Sequence, residues 1–201
     1  VVPELPTHDI AGRTVLILGF GRIGTRVARL CAAFGLNVLV YDPFIPVGTI
    51  RGSGYEAVVD LRDGLAVADI VTLHCPSSTE TRGLVNADFL GAMKRGAFFI
   101  NAARGKLVEE AALAEALRSG QVAMAGIDVL YDEPVSAANP LLDAPNCIFS
   151  PHTAASSQEG TRRMAMSAAQ SVLDCFNNRL PADVIVNPEA QHRRPALAVA
   201  G

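Results

Sequence analysis

Three glycines at a fixed spacing, followed by one carboxylate, are the residues near the start of the chain best suited to chemistry. Gly19, Gly21 and Gly24 follow the apolar run 15–18, and Asp42 follows a second apolar run. In such a pattern the first glycine allows a tight turn, the second lets backbone approach a pyrophosphate, and the third lets a helix lie close to the strand. A carboxylate placed like Asp42 accepts hydrogen bonds from ribose hydroxyls. The spacing predicts a dinucleotide site, and a carboxylate without a neighbouring base favours NAD over NADP.

A glycine-rich turn is common by itself, so a plain connection between strand and helix is the alternative. The flanking sequence favours the dinucleotide site, because an apolar strand precedes the glycines and an amphipathic helix follows them. The apolar residues at helical spacing are Val27, Leu30, Cys31 and Phe34. We therefore expect the amides at the start of this helix to point at phosphates.

Three ionisable side chains further along have the types that hydride transfer to a 2-oxo acid requires. The planar guanidinium of Arg104 suits a carboxylate, and His152 is a proton donor suited to neutral pH. Glu133 could orient the imidazole. Each has a structural alternative: Arg104 as a surface turn, His152 as a strand-end residue bonded to backbone, and Glu133 as a solvated loop acid. Their common placement after successive strands favours catalysis.

Strands alternating with helices predict the elements that must position these residues. Apolar runs at 15–18 and 97–100 are typical of buried parallel strands, and the runs at 69–73, 122–127 and 147–149 predict three more strands. The prediction is an α/β fold, a Rossmann-type doubly wound parallel sheet, with ligands outside the carboxyl ends of the strands. Residues 1–178 are expected to form this domain, and 179–201 a partly disordered tail. The polar residues expected at strand ends are Gly19, Asp42, His74, Asn101, Asp128 and His152.

Several local expectations accompany this fold. Residues 43–54, rich in proline and glycine, predict a surface loop, and 184–186 look like a strand. Asp60 and Asn86 are expected to cap helices, and a long amphipathic helix is expected over 156–177. Glu109 and Glu110 start a helix that ends with a basic residue, so we expect them to be structural and not metal ligands. His74 has no evident partner in the sequence and is expected at the rim of the site, and His8 and His192 are expected to be solvated.

Composition excludes several classes of function. The chain has 201 residues, half of them hydrophobic, and a net charge of −3 without a basic cluster, which argues against nucleic acid as the partner. No apolar run is long enough to span a membrane, and no signal peptide is visible. The four cysteines are far apart and lack metal-binding spacing, so we expect no metal site and a reducing, cytoplasmic compartment.

The sequence resembles the D-isomer-specific 2-hydroxyacid dehydrogenase family, close to its phosphoglycerate dehydrogenase and hydroxypyruvate reductase branch. The resemblance covers roughly residues 12–188. The segments that carry it are 18–24 (LGFGRIG), 41–43 (YDP), 74–76 (HCP), 101–105 (NAARG), 128–134 (DVLYDEP) and 151–152 (PH).

The resemblance implies a catalytic set, a cofactor and a partner. Arg104 would bind substrate and polarise its carbonyl, His152 would be the acid/base and Glu133 its partner. The substrate would be a small 2-hydroxy or 2-oxo acid, the cofactor NAD, and the assembly a homodimer. The implied cofactor-binding residues are Gly19, Gly21, Arg22, Ile23, Gly24, Asp42, Cys75, Pro76, Ala102, Asp128 and Ala154.

One departure from the family bears on activity. Its members have a substrate domain built mostly from an N-terminal segment, and this sequence starts just before the first nucleotide-binding strand. We therefore expect the chain to bind NAD with little or no turnover alone, and the substrate stays open among phosphoglycerate, hydroxypyruvate, glyoxylate and bulkier 2-oxo acids. The alternative is an NAD-dependent dimerising corepressor of the C-terminal-binding protein type. Those proteins carry a tryptophan shortly after the catalytic histidine, where this chain has Ala155 and no tryptophan anywhere.

Overall fold

The computed structural model describes residues 9–187 of the chain. The expectations that His8 and His192 are solvated, and that the last ten residues of the tail are disordered, concern residues outside this range. The chain divides into two compact units between His152 and Thr153. The boundary expected after residue 178 stays a prediction. Between residues 9 and 187, no helix is both long and apolar enough to cross a membrane.

The first unit is built on a seven-stranded sheet in which every pairing is parallel, as predicted. The spatial order is β3-β2-β1-β4-β5-β6-β7. Strands are added in one direction from β1 to β3 and in the opposite direction from β4 to β7, so the strand order switches between β1 and β4. Ligands bind at such a switch point in open α/β sheets. The strands are β1 (Thr14–Leu18), β2 (Asn37–Tyr41), β3 (Glu56–Ala57), β4 (Ile70–Leu73), β5 (Ala97–Asn101), β6 (Val122–Ile127) and β7 (Cys147–Phe149).

Five α-helices of the first unit connect these strands, and two of the expected caps hold. Asp60 accepts a hydrogen bond from the amide of Arg62, and Asn86 accepts one from the amide of Phe89. These side chains satisfy backbone donors that a helix N-terminus leaves free. The helices are α1 (Gly24–Ala33), α2 (Val47–Gly52), α3 (Leu61–Val67), α4 (Ala87–Ala92) and α5 (Glu110–Arg118), with a 3₁₀ turn at Gly105–Leu107.

The sheet has a hydrophobic cluster on each face, and the two differ in extent. The larger cluster takes alternate residues from β1, β2, β4, β5 and β6 and the apolar faces of α3, α4 and α5. The smaller cluster packs β1, β2, β3 and Ile70 at the start of β4 against α1 and α2. On that second face the β5–β7 side stays exposed, with Phe98 at 41% and Ile148 at 61% accessible while Phe99 is fully buried.

Three expectations for the elements were wrong and one strand was missed, each for a local reason. Segment 43–54 contains α2, whose Ile50 packs into the smaller cluster. The edge strand β3 has only two residues and gave no periodic signal. β5 is buried on one face only. On α1, Leu30 and Phe34 are exposed, because the small residues Gly24 and Ala28 face the sheet instead.

The second unit contains one long helix, α6 (Gln158–Phe176). The side chain of Ser157 accepts a hydrogen bond from the amide of Gly160 and starts the helix. The strand expected at 184–186 is absent from the described part of this unit, where a 3₁₀ turn at Ala182–Val184 takes its place. This turn follows Pro181, whose fixed backbone angle suits the start of a helical turn.

Candidate functional site

The glycine turn brings backbone so close together that side chains are excluded. Gly19 follows β1 with φ +99°, and a Cβ on it would lie 2.7 Å from the amide nitrogen of Cys75. A Cβ on Gly24 would lie 1.9 Å from the carbonyl oxygen of Gly19. Only glycine fits either position. The start of α1 is therefore held directly against the ends of β1 and β4.

The same turn leaves an open, donor-rich surface. A Cβ on Gly21 would meet nothing within 4 Å. Among the described residues, no acceptor pairs with the amides of Arg22, Ile23 and Gly24, and no side chain caps α1. Unpaired amides at a helix N-terminus carry partial positive charge, so this surface fits a pyrophosphate.

Asp42 is fixed at the end of β2 with accepting capacity to spare. Its Oδ2 accepts a hydrogen bond from the amide of Phe20 at 2.8 Å, and its Oδ1 accepts one from the amide of Phe44 at 2.9 Å. An ionised carboxylate has about four lone-pair sites, so each oxygen can accept a second hydrogen bond. This carboxylate fits a ribose diol, and its charge would repel a 2′-phosphate.

Two adjoining cavities form a groove along the carboxyl ends of β1, β2, β4 and β5. One, of about 270 Å³, is lined by Gly19, Gly21 and Asp42, and the other, of about 460 Å³, by Arg22, Ile23, Ala102 and Arg104. Three residues line both cavities: His74, Cys75 and Pro76. The groove thus runs from the carboxylate expected to bind ribose to the guanidinium expected to bind substrate.

His74 and Cys75 present uncharged groups to this groove. Nε2 of His74 lies 3.1 Å from Oγ1 of Thr72, and burial lowers the pKa of the imidazole. Burial raises the pKa of the Cys75 thiol, and the nearby Asp42 carboxylate adds to this effect. His74 therefore forms part of the inner wall and not the rim where we expected it.

A buried asparagine shapes the turn that carries Arg104. Asn101 is 1% exposed, its Oδ1 accepts a hydrogen bond from the amide of Ala103, and its Nδ2 donates to the carbonyl of Arg104. The guanidinium itself is exposed, and its Nη1 donates to the carbonyl of Ala103 at 2.6 Å. The backbone turn is thus fixed while the cation stays available for a ligand.

Asp128 holds the backbone from which His152 projects. Its Oδ1 accepts hydrogen bonds from the hydroxyl of Ser150 and, at 3.1 Å, from the amide of His152. His152 has φ +54°, a left-handed conformation that is uncommon for residues other than glycine and persists where the surroundings impose it. The family resemblance implies that Asp128 binds the cofactor. In the structure Asp128 also fixes the backbone of His152.

His152 and Glu133 form a direct pair. Nδ1 of His152 lies 2.8 Å from Oε2 of Glu133, and Oε1 of Glu133 accepts from the amide of Leu130 at 3.1 Å. The hydrogen bond with His152 is the main cause that lowers the pKa of Glu133, and the charge of Arg104 contributes. Because Nδ1 is engaged, Nε2 is the nitrogen left to meet a ligand.

His152 and Glu133 are in contact, and Arg104 is close enough for its charge to act on Glu133. Gly24 packs against Gly19, and Asp128 lies beside His152 outside the lining of the groove. The expected cofactor residues that line the groove are Gly19, Gly21, Arg22, Ile23, Asp42, Cys75, Pro76 and Ala102. Ala154 belongs to the second unit, so its role at the cofactor stays a prediction. No cluster within residues 9–187 holds three histidine, cysteine or acidic side chains suited to a metal ion.

Sequence reasoning gave no role to two polar side chains of the site, and only one of them has a local signal. Asn101 directly precedes the Ala-Ala-Arg-Gly turn, and asparagine commonly bonds to the backbone two residues on. Ser150 lies two residues before His152, but its pairing with Asp128 joins the ends of neighbouring strands and has no local signal.

Comparison with known proteins agrees with this geometry. A family model described as D-isomer specific 2-hydroxyacid dehydrogenase, NAD binding domain, matches residues 2–154. A D-3-phosphoglycerate dehydrogenase of Archaeoglobus fulgidus is 40% identical over 179 residues, which are 89% of this chain and 34% of that protein. A hydroxypyruvate reductase of Blautia hydrogenotrophica is 37% identical over 90% of this chain and 56% of its own length.

Solved structures show the same arrangement of the fold. An NAD-dependent formate dehydrogenase from Staphylococcus aureus, solved in complex with NAD, matches with a TM-score of 0.78 and 30% identity. The match covers 88% of this chain and 52% of that one. The chain spans about a third to a half of the length of the relatives described here.

The variant Gly21→Ala tests cofactor binding without disturbing the fold. Because a Cβ there meets no protein atom, the free energy of unfolding should stay constant or rise by up to about 1 kcal/mol. The methyl group would occupy the pyrophosphate surface, so the Kd for NADH, measured by calorimetry, should rise at least about tenfold, or about 1.4 kcal/mol. Gly19→Ala is the contrasting variant and should destabilise the fold. Unchanged NADH affinity in folded Gly21→Ala would contradict the assignment.

Burial of His74 predicts a pH dependence of stability. Its folded pKa lies below the ordinary value of about 6.5, so between the two values the unfolded chain binds more protons and stability rises with pH. Urea unfolding should show stability lost as pH falls from 7 to 5.5. His74→Gln keeps an amide for Thr72 but cannot titrate, so it should lose less stability over that range. Equal losses in both proteins would contradict the burial argument.

Proposed function

The chain belongs to the D-isomer specific 2-hydroxyacid dehydrogenase family through its NAD-binding domain, and we propose that it is an oxidoreductase domain that interconverts a D-2-hydroxy acid and the corresponding 2-oxo acid. The observation that carries this proposal is the pair of His152 and Glu133, in which Nδ1 lies 2.8 Å from Oε2. This pair lies at the same edge of the sheet as Arg104 and the groove. When bound, the nicotinamide ring supplies or accepts the hydride.

Arg104 accounts for substrate binding. Its guanidinium is exposed at the end of the groove and fixed only through its backbone turn, so its remaining donors can form a bidentate contact with a carboxylate. A cation beside the 2-oxo group also stabilises negative charge that develops on the carbonyl oxygen during reduction. We assign both roles to Arg104.

His152 accounts for the proton. Reduction of a carbonyl adds a proton to the oxygen as the hydride reaches carbon, and oxidation removes both. Nε2 of His152 is the nitrogen not engaged by protein, and Glu133 holds Nδ1 so that the ring keeps one orientation. The ionised carboxylate of Glu133 also stabilises the imidazolium that exists before protonation of substrate. Asp128 and Ser150 fix the backbone beneath the ring.

The proposed substrate is taken from the relatives, and the proposed assembly from the family resemblance. We propose a small 2-oxo acid such as hydroxypyruvate or glyoxylate, since relatives bear the names D-3-phosphoglycerate dehydrogenase, hydroxypyruvate reductase and glyoxylate reductase. We also propose a homodimer. The cytoplasm is the proposed compartment because the four cysteines lie far apart in the sequence and lack metal-binding spacing.

His152→Gln in the native protein tests the assignment of the proton donor. The variant should reduce hydroxypyruvate or glyoxylate about 10²–10⁴-fold more slowly, because glutamine cannot donate a proton to the oxygen. The Kd for NADH should change little, since cofactor binding rests on residues of the glycine turn and Asp42. Stopped-flow absorbance gives the rate and calorimetry the affinity.

A loss of NADH affinity as large as the loss of rate would make His152 chiefly a cofactor residue. A wild-type protein that binds NADH, dimerises on it and reduces no 2-oxo acid would favour the alternative, a binding module that recruits partners.

A further inference from the structure

A carboxylate outside the groove holds both ends of the loop that carries Glu133. Oε1 of Glu110, at the start of α5, accepts a hydrogen bond from the amide of Tyr131 at 2.8 Å. Its Oε2 accepts one from Nδ2 of Asn139, also at 2.8 Å. Glu133 lies between the two anchored residues. One side chain therefore closes a loop that has no helix or strand of its own between β6 and β7.

The second anchor continues into the core. Asn139 is only 8% exposed, and its Oδ1 accepts a hydrogen bond from the amide of Leu141, which is 1% exposed and belongs to the larger cluster. A buried amide must satisfy its donors, so Glu110 and Asn139 fix each other. The far end of the loop is thus attached to packed structure and not to solvent.

The near end of the loop lies against the turn that carries Arg104. A Cβ on Gly105 would come within 1.9 Å of the carbonyl oxygen of Leu130, so the two backbones pack without an intervening side chain. The amide of Leu130 also donates to Glu133. A shift of the loop at Tyr131 would therefore disturb the contact with Gly105 and the acceptor that meets His152.

We propose that Glu110 is a positioning residue, which holds the 130–139 loop so that Glu133 meets Nδ1 of His152 and the loop stays packed on the Arg104 turn. Its effect on the reaction rests on the function proposed above. Its effect on Glu133 can be measured in the chain without any turnover.

Another role for Glu110 is purely local. An acid in the first turn of a helix interacts favourably with the helix dipole. Glu109 is the matched control, because it is the exposed residue that directly precedes α5, and Glu109→Gln removes the same charge from the same helix end. A dipole role predicts similar consequences for the two glutamine variants, whereas positioning predicts consequences for Glu110→Gln alone.

The chain also offers a reciprocal exchange. In Glu110→Gln the new amide group faces the amide of Asn139, so two donors oppose each other. Adding Asn139→Asp replaces that donor with an acceptor, while an oxygen remains for the amide of Leu141. The double variant E110Q/N139D can therefore restore both anchors. The donor and acceptor are reversed between residues 110 and 139, while the amide of Tyr131 still donates to residue 110. A double-mutant cycle measures the recovery.

The readout is the titration of the Glu133 carboxyl, followed by ¹³C NMR in the 201-residue chain. In the wild type its pKa lies below the ordinary value because His152 and Leu130 donate to it. Glu110→Gln should raise that pKa toward the ordinary value, E110Q/N139D should return it toward wild type, and Glu109→Gln should leave it unchanged. The Kd for NADH should stay constant in all three. In the native protein, kcat for 2-oxo acid reduction should fall in Glu110→Gln by up to about 10²-fold, with a smaller change in KM.

The outcomes separate this proposal from the function. A Glu133 titration unchanged in folded Glu110→Gln, or shifted equally in Glu109→Gln, would overturn the positioning role even in an active enzyme. If Glu110→Gln does not fold, recovery of fold and titration in E110Q/N139D supports the role, and failure to recover contradicts it. A shifted and rescued titration in a protein that reduces no 2-oxo acid would keep the positioning role and reject the proposed function.

Discussion

The amide-bearing turn at the start of α1 depends on one close backbone contact, in which Gly24 packs against the carbonyl oxygen of Gly19. A Cβ at Gly24 would lie 1.9 Å from that oxygen, so any side chain would push the helix away from the sheet. With the helix in place, its free amides face the groove, and the amide of Phe20 reaches the Asp42 carboxylate. We therefore expect anion binding and ribose recognition to depend on the same packing.

The chemistry proposed for the other end of the groove rests on loops that carry little regular structure, so polar contacts must fix them. Asn101 closes the Arg104 turn, and Asp128 holds the backbone of His152. Glu133 reaches His152 from a loop whose ends are held by Glu110. The Asn101 contacts are local to its turn, whereas those of Asp128, Glu133 and Glu110 join segments that are distant in sequence. Together they fix these side chains relative to the sheet.

Much of this arrangement could be predicted from sequence, because it follows from periodicity and from chain direction. Buried strands are recognisable in the sequence as apolar runs. Parallel strands bring their carboxyl ends to one edge of the sheet, so His152 and Asp42 could be predicted to lie at the same edge. Short-range signals also sufficed for the caps at Asp60 and Asn86. The edge strand β3 and helix α2 were too short for any period to show. The exposed Leu30 and Phe34 show that apolar spacing locates a helix without fixing which face is buried. Contacts such as Glu110 with Asn139 depend on tertiary structure and have no sequence signal.

We propose that the turn from Gly19 to Gly24, together with Asp42, forms the site for NAD. Calorimetric titration of the 201-residue chain with NADH and with NADPH tests it most directly. We expect saturable binding of NADH and much weaker binding of NADPH, because the extra phosphate would meet the Asp42 carboxylate. Equal binding of the two would contradict the role of Asp42, and binding of neither by the folded chain would contradict the dinucleotide site itself.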